Sequence, residues 1–246
     1  MPRFSVITVC YNAANPIVAT AASLRRQSHL DYEWLVVDGA SKDSTLQAVA
    51  DAGIASTRVI SEPDIGIYDA MNKAVGFALG DWIHFLNAGD EMADPAVLAD
   101  IALALDANVE ADLLYGDMIY VSRGQECDRR FAHVSPGMLV FEDLNHQAVF
   151  ARRSLFQSVG LFDLRYRTSA DYDWLLRAVG AGTRTRYLPR TVARFQTGGA
   201  HAADLSALAA ERHELRLQYV SPWLLWAGMR FASLRRRWRV SRGQAG

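Results

Sequence analysis

The sequence predicts an α/β protein built on a mostly parallel central sheet with helices on both faces. Three observations predict it. Apolar, β-branched runs alternate with stretches at helical spacing from residue 4 to residue 121. The strand-like runs are continuously apolar, as expected of strands buried on both faces. The resulting β-α-β-α-β-α-β order requires crossover connections rather than hairpins. A length of 246 residues suits one such domain with a short appendage.

Residues 4–9 (F-S-V-I-T-V), bounded by Pro2 and by Asn12 and Asn15, form the first expected strand. In residues 16–27, Ile17, Val18, Ala21 and Leu24 recur at helical spacing, with Asn15 as N-cap and Pro16 at the first helical position. Strand 34–37 ends at Asp38-Gly39, and a helix over 44–52 follows, capped by Ser41 or Asp43. Strand 57–60, helix 68–79 and strand 81–86 continue the alternation, the last ending at Asn87-Ala88-Gly89-Asp90. Helix 95–105 and strand 113–121 complete it. Beyond residue 122 the pattern loosens. Residues 123–147 read as loop-rich, with Pro136-Gly137 as a turn. Helices are expected over 152–159, closed by Gly160, over 171–179, closed by Gly180 and Gly182, and over 205–220, interrupted by Pro222. This gives a domain over 1–214, with halves of about 1–122 and 123–214, and a tail over 215–246.

Composition narrows the function. The chain is 50% hydrophobic and 22% charged with a net charge of -1, which excludes disordered and low-complexity classes. The near-neutral balance argues against a nucleic-acid partner. The charge is uneven: residues 230–246 carry six arginines and no acid, which leaves 20 basic and 27 acidic side chains in residues 1–229. Two cysteines, Cys10 and Cys127, are too few for a disulfide framework or a zinc site. Met1-Pro2-Arg3 leads directly into a strand without a signal-peptide core, so a cytoplasmic, reducing compartment is expected.

Ligands of parallel sheets bind beyond the carboxyl ends of the strands. Three strands end there in polar turns, at Tyr11-Asn12, at Asp38-Gly39 and at Asn87 to Asp90. A strand-end carboxylate such as Asp90 can approach a divalent cation that bridges phosphate oxygens, or can simply cap the next helix. Asp38 can accept hydrogen bonds from a nucleobase edge, while the following Ser/Asp/Ser/Thr cluster can serve as helix caps. In Ser61 to Ala74, helical spacing puts Asp69, Asn72 and Lys73 on adjacent turns, and Asp64 before Gly66 suggests a tight carboxylate-bearing loop. Asp171 and Asp173 open a helix, whose positive end favours their ionised forms. An ionised carboxylate can act as a general base or as a plain N-cap.

Taken in order, S-V-I-T-V-C-Y-N, V-D-G-A-S-K-D-S-T, S-E-P-D-I-G-I-Y-D-A-M-N-K-A and F-L-N-A-G-D-E-M resemble family 2 glycosyltransferases with the Rossmann-like GT-A fold. The nearest likeness is to bacterial enzymes that assemble exopolysaccharide, O-antigen or colanic-acid-type repeat units. The resemblance covers residues 4 to about 200. It implies an inverting transferase that moves a sugar from a nucleotide-diphosphate donor, a UDP-sugar by family frequency, to a hydroxyl acceptor on a lipid-linked or other saccharide. Tyr11 and Asn12 would border the nucleoside and Asp38 the base. Asp64 and Gly66 would contact the nucleotide, with Asp69, Asn72 and Lys73 near the sugar-phosphate. Asn87 to Asp90 stands where the family has its Asp-X-Asp metal motif. Asn87 replaces the first Asp and Ala88 lies in the middle, so Asp90 is the expected ligand of Mn²⁺ or Mg²⁺. Ala170 replaces the Glu of the family's Glu-Asp motif, which leaves Asp171 as base and Asp173 as its alternative. His146 and Gln147 match the acceptor-side segment, and His201 matches a loop closing over the donor, where it could touch phosphate or metal.

Trp223, Trp226, Phe231 and Trp238 lie among the C-terminal arginines in a stretch too short to span a bilayer. They suit an amphipathic helix on an anionic membrane surface, placing the protein peripherally on the inner face of the cell membrane, or a terminal helix packed on the domain. Two other readings remain. A nucleotidyltransferase would want a Gly-rich basic loop where Tyr11-Asn12-Ala13-Ala14-Asn15 stands. A non-catalytic nucleotide-sugar-binding paralogue is suggested by Asn87 and Ala170.

Overall fold

The structure, a computed structural model, describes residues 1–131, 139–140, 144–198, 205–221 and 224. Among these, nine strands form one sheet. Its first half is the expected parallel unit: β1 (Phe4–Cys10), β2 (Tyr32–Asp38), β3 (Thr57–Ser61) and β4 (Trp82–Phe85), in the order β3-β2-β1-β4. β1 and β2 are buried along all seven residues, the polar Ser5, Thr8, Glu33 and Asp38 included, as expected of strands covered on both faces. Helices α1 (Pro16–Arg25), α2 (Thr45–Asp51) and α3 (Ile67–Phe77) make the crossovers. Because α3 carries the chain from β3 to the far side of β1, the strand order reverses between β1 and β4. Ligand crevices of open α/β sheets lie at such a reversal.

The second half is mixed. Its elements are β5 (Glu91–Met92), α4 (Val97–Ala107), β6 (Leu113–Ser122), β7 (Gln125–Arg129), a 3₁₀ turn at His146–Ala148, β8 (Val149–Arg152), α5 (Leu155–Ser158), α6 (Ala170–Gly180), β9 (Thr185–Gln196) and α7 (Leu205–Tyr219). β8 runs antiparallel between β4 and β6, β9 lies parallel to β6, and β5 and β7 add antiparallel edges. The parallel expectation therefore fits the half before β5 and not the whole sheet. The helix expected over 152–159 shrinks to α5, because Arg152 closes β8 and Trp82 pairs with it across the ladder. Part of the expected loop over 123–147 is β7, paired with β6 as a hairpin.

Two packed networks hold the strand exits. Trp34 Nε1 donates to Thr8 Oγ1 at 2.9 Å, and that hydroxyl donates to the Leu86 carbonyl at 2.7 Å, so three adjacent strands are stitched just below Asn87. Phe85, Phe156, Phe162 and Trp174 form an aromatic cluster joining β4, α5 and α6, with Phe156 stacked on Trp174 at 4.4 Å. Each such buried ring contributes roughly 2–3 kcal/mol. α7 docks on the domain through fully buried Leu215, and Glu211 accepts from the Arg167 and Thr168 backbone N–H groups at 2.8 and 3.0 Å. Among the described residues, no helix is long and apolar enough to cross a membrane. The tail residues Trp223, Trp226, Phe231 and Trp238, like His201, lie outside the described residues.

Candidate active site

At the strand reversal lies a cavity of about 560 Å³, lined by Cys10, Tyr11, Asn12, Asp64, Gly66 and the whole turn Asn87 to Asp90. Gly89 makes that turn with φ +100, a conformation open to glycine at little cost. Asp90 is held beneath it: Gln147 Nε2 donates to Oδ2 at 2.9 Å and the Gln196 backbone N–H to Oδ1 at 3.0 Å. Burial pushes the Asp90 carboxyl up to about 6, against the lowering effect of those two donors. Asp64 reaches the cavity because Gly39 has no side chain: a Cβ there would collide with the Asp64 carboxylate. Its Oδ1 accepts from the Gly66 N–H at 2.9 Å, which tightens the loop.

A second cavity of about 550 Å³ adjoins the first and shares Phe195 and Gly198 with it. Its lining includes Tyr120, His146, Gln147, Thr168, Asp171 and Arg212. Asp171, in the first turn of α6, receives a hydrogen bond on each oxygen. His146 Nδ1 donates to Oδ2 at 2.7 Å and the Tyr68 hydroxyl to Oδ1 at 2.8 Å. Burial opposes ionisation, but the hydrogen bond from His146, the nearby Arg212 charge and the Tyr68 hydroxyl outweigh it and hold this carboxyl well below the usual range. On its other side, His146 Nε2 accepts from Asn87 Nδ2 at 3.0 Å. The dipeptide His146-Gln147 thus touches Asp171 with one residue and Asp90 with the next.

Several expected site residues face elsewhere. Asp38 is fully buried and does not line either cavity. Its carboxylate accepts from Ser61 Oγ at 2.7 Å, from the Ser41 N–H at 3.0 Å and from the Ser41 hydroxyl. Asn12 lines the first cavity, yet its side-chain oxygen accepts from the Lys42 N–H at 2.9 Å. Asn72 spends both ends of its amide on the Phe162 backbone, each at 2.9 Å. Lys73 binds the Pro63 carbonyl at 2.7 Å and pairs with Glu62 and Asp69, while Asp69 accepts from the Ile65 N–H at 3.1 Å. Asp69 and Lys73 therefore brace the loop that carries Asp64, and Asn72 ties α3 to the Phe162 segment. Asp173 pairs with Arg177 at 2.8 Å, two residues round the helix from Asp171 and outside the cavity lining. Tyr68, Tyr120, Phe195, Gln196 and Arg212 escaped the sequence reading. Only Tyr68, inside the motif that carries Asp69, gave a signal that could have found it.

Among the described residues, no three His, Cys, Asp or Glu side chains form a metal cage. The site offers the Asp90 carboxylate together with Asn87 Oδ1 and Gln147 Oε1, both buried without a protein hydrogen-bond partner. Such hard oxygen donors fit Mg²⁺ or Mn²⁺ when substrate phosphates supply the remaining ligands.

Known proteins share this chain's sequence family and fold. The model of glycosyl transferase family 2 matches residues 5–130. A "PGL/p-HBAD biosynthesis glycosyltransferase" of Mycobacterium bovis is 36% identical over 202 residues, covering 80% of this chain and 78% of that one. The fold is that of S. aureus TarS 1-349, with TM-score 0.70 at 22% identity over 80% of this chain and 60% of that one. It is also that of the mannosyltransferase PcManGT from Pyrobaculum calidifontis, solved with GDP-Man and Mn²⁺, with TM-score 0.65 at 20% identity over 95% and 73% of the two chains. The chain belongs to glycosyl transferase family 2, and it is a glycosyltransferase with the GT-A fold.

Proposed function

We propose that this protein transfers a sugar from a nucleoside diphosphate sugar to an acceptor hydroxyl in one in-line displacement, with inversion. The donor occupies the cavity at Asn87 to Asp90 and the acceptor the cavity at Asp171. The observation that carries this reading is the pair of adjoining cavities, one bearing Asp90 and the other Asp171. Tyr11 and Asp64 border the nucleoside, and Asp38 organises the Ser41 loop beside it. Asp171 takes the proton from the acceptor hydroxyl, whose oxygen attacks the anomeric carbon. The bond from that carbon to the diphosphate oxygen breaks, and the electron pair leaves with the nucleoside diphosphate. No covalent enzyme intermediate forms, so the site works by positioning and electrostatics. Asp90 would hold a Mn²⁺ or Mg²⁺ ion, which when bound supplies charge stabilisation for the departing diphosphate.

A UDP-sugar donor is supported by TarS 1-349, whose structure in complex with UDP-GlcNAc has TM-score 0.71 to this chain at 22% identity. A lipid-linked saccharide acceptor and attachment of the basic tail to the inner membrane surface complete the proposal. The test incubates the full chain and Mn²⁺ with a panel of UDP-, GDP- and dTDP-sugars and measures nucleoside diphosphate release. One donor should turn over, slowly even to water. Asp171→Asn should lose transfer by about 10²–10⁴-fold while its affinity for UDP and Mn²⁺ stays unchanged. Release of pyrophosphate would point to a nucleotidyltransferase. Nucleotide binding without turnover would point to a non-catalytic paralogue, and transfer retained in Asp171→Asn would remove Asp171 as base.

A further inference from the structure

We propose that His146 is a positioning residue that aligns the base and ties it to the donor-side turn. This rests on the reading of Asp171 as the base. A carboxylate on one rotatable bond can present its oxygens in many planes. Here His146 Nδ1 and the Tyr68 hydroxyl donate to opposite oxygens at 2.7 and 2.8 Å, which fixes the plane. Two donors occupy two of the roughly four lone-pair positions of a carboxylate, leaving others for an acceptor hydroxyl.

The histidine is itself held on both nitrogens. It sits in the 3₁₀ turn between Asn145 and β8, only 7% exposed, with its ring edge against Phe85. Nε2 accepts from Asn87 Nδ2 at 3.0 Å, so the ring carries its proton on Nδ1, aimed at Asp171. Asn87 lies in the turn that ends at Asp90, and the next residue after His146, Gln147, donates to Asp90. The acceptor base and the donor-side carboxylate therefore hang from consecutive residues of one short turn. A shift of the Asn87–Asp90 turn would move the plane of Asp171, and misplacement by ~1 Å at a reacting group costs about 100-fold in rate.

The two halves of the histidine can be separated by isosteres. His146→Asn places an amide N–H near the Nδ1 position and loses the Asn87 contact, while His146→Gln does the reverse, and His146→Ala removes both. With the donor that the panel identifies, Ala and Gln should each lower kcat by about 100-fold, with donor KM and calorimetric Mn²⁺·UDP affinity held within about threefold. Asn should recover at least about tenfold of that loss. Equal rescue by Gln, a kcat loss in Ala of less than about threefold, or a loss confined to KM or UDP affinity would each overturn the proposal. Thermal melting of each variant separates misfolding from misalignment, and the Asn–Gln comparison decides if Ala fails to fold. Independently of turnover, ¹⁵N NMR of the histidine rings should show His146 protonated on Nδ1 in the unliganded full chain. A ring that carries no proton on Nδ1 would refute the dyad. If no donor turns over while the Nδ1–H signal stands, the functional reading fails and the dyad does not.

Discussion

His84 lies wholly inside the sheet on β4, stacked on Phe150 at 4.2 Å, with Nδ1 bonded to the Val149 carbonyl at 2.9 Å. Burial pushes this imidazole down to about 4 from an ordinary 6.5. The unfolded chain therefore binds the proton first as pH falls, so His84 costs nothing above pH 6.5 and removes stability progressively from there to pH 4. At 1.36 kcal/mol per pH unit, the loss reaches about 3 kcal/mol. Asp90, raised to about 6, acts with the opposite sign between pH 3.8 and 6, since there the folded state holds the extra proton. The bare pH profile mixes the two. The difference between wild type and His84→Asn, followed by urea unfolding at several pH values, isolates the histidine, and the variant should show the shallower loss on acidification. A parallel pair of profiles would reject the buried neutral imidazole. Single residues also mark the limit of sequence reading at the site. Asp90, Asp171, His146 and Gln147, which the motifs mark at element boundaries, do line the two cavities. Asp38, Asn72 and Lys73 belong to the same motifs, yet they line neither cavity. A motif identifies which residues matter, and only packing tells a ligand contact from a brace.

At the scale of elements, the parallel half was legible because β1, β2 and β4 are apolar runs bounded by turn residues. The second half was not. β7 reads Q-E-C-D-R, an exposed polar edge with no apolar face, and β8 is four residues long. β9 carries Pro189 and several polar residues, a composition that argues against a strand, and its ladder to β6 is broken by register shifts near Asp117. Yet β9 supplies the Gln196 N–H on Asp90 and the Phe195 shared by both cavities. The domain boundary expected at residue 214 falls inside α7, whose Glu211 holds the segment that leads into α6 and hence into Asp171. Glu211 accepts from two backbone N–H groups and from the Thr168 hydroxyl at 2.7 Å. Glu211→Ala leaves three donors seeking water, so a loss of about 1.5–3 kcal/mol is expected. For a domain of this size that is a fall in Tm of roughly 3–12 °C. An unchanged Tm, measured by calorimetry on the full chain, would mean that α7 does not support α6.

Across the whole molecule, charge and cavities are arranged in two directions. The body is acidic and residues 230–246 are basic, so deleting those residues should abolish salt-sensitive co-sedimentation with anionic phospholipid vesicles and leave UDP affinity intact. Vesicle binding that survives the deletion would assign attachment to another surface. The two cavities make a sharper demand, because they share Phe195 and Gly198 but differ in every other lining residue. The chain's two cysteines report on this separately. Cys127 is exposed and lines the Asp171 cavity. Cys10 is buried at the end of β1, where burial and the neighbouring Asp38 push its thiol far above the ordinary range. N-ethylmaleimide should therefore alkylate Cys127 alone and place a bulky adduct in the cavity proposed for the acceptor. Transfer to a saccharide acceptor should fall, Mn²⁺·UDP affinity should stay the same, and slow donor hydrolysis by water should persist, because water needs far less room. Cys127→Ser should be immune to the reagent and fully active. Loss of UDP affinity on alkylation would mean that the two cavities are one continuous donor site, and the division of labour between Asp90 and Asp171 would have to be redrawn.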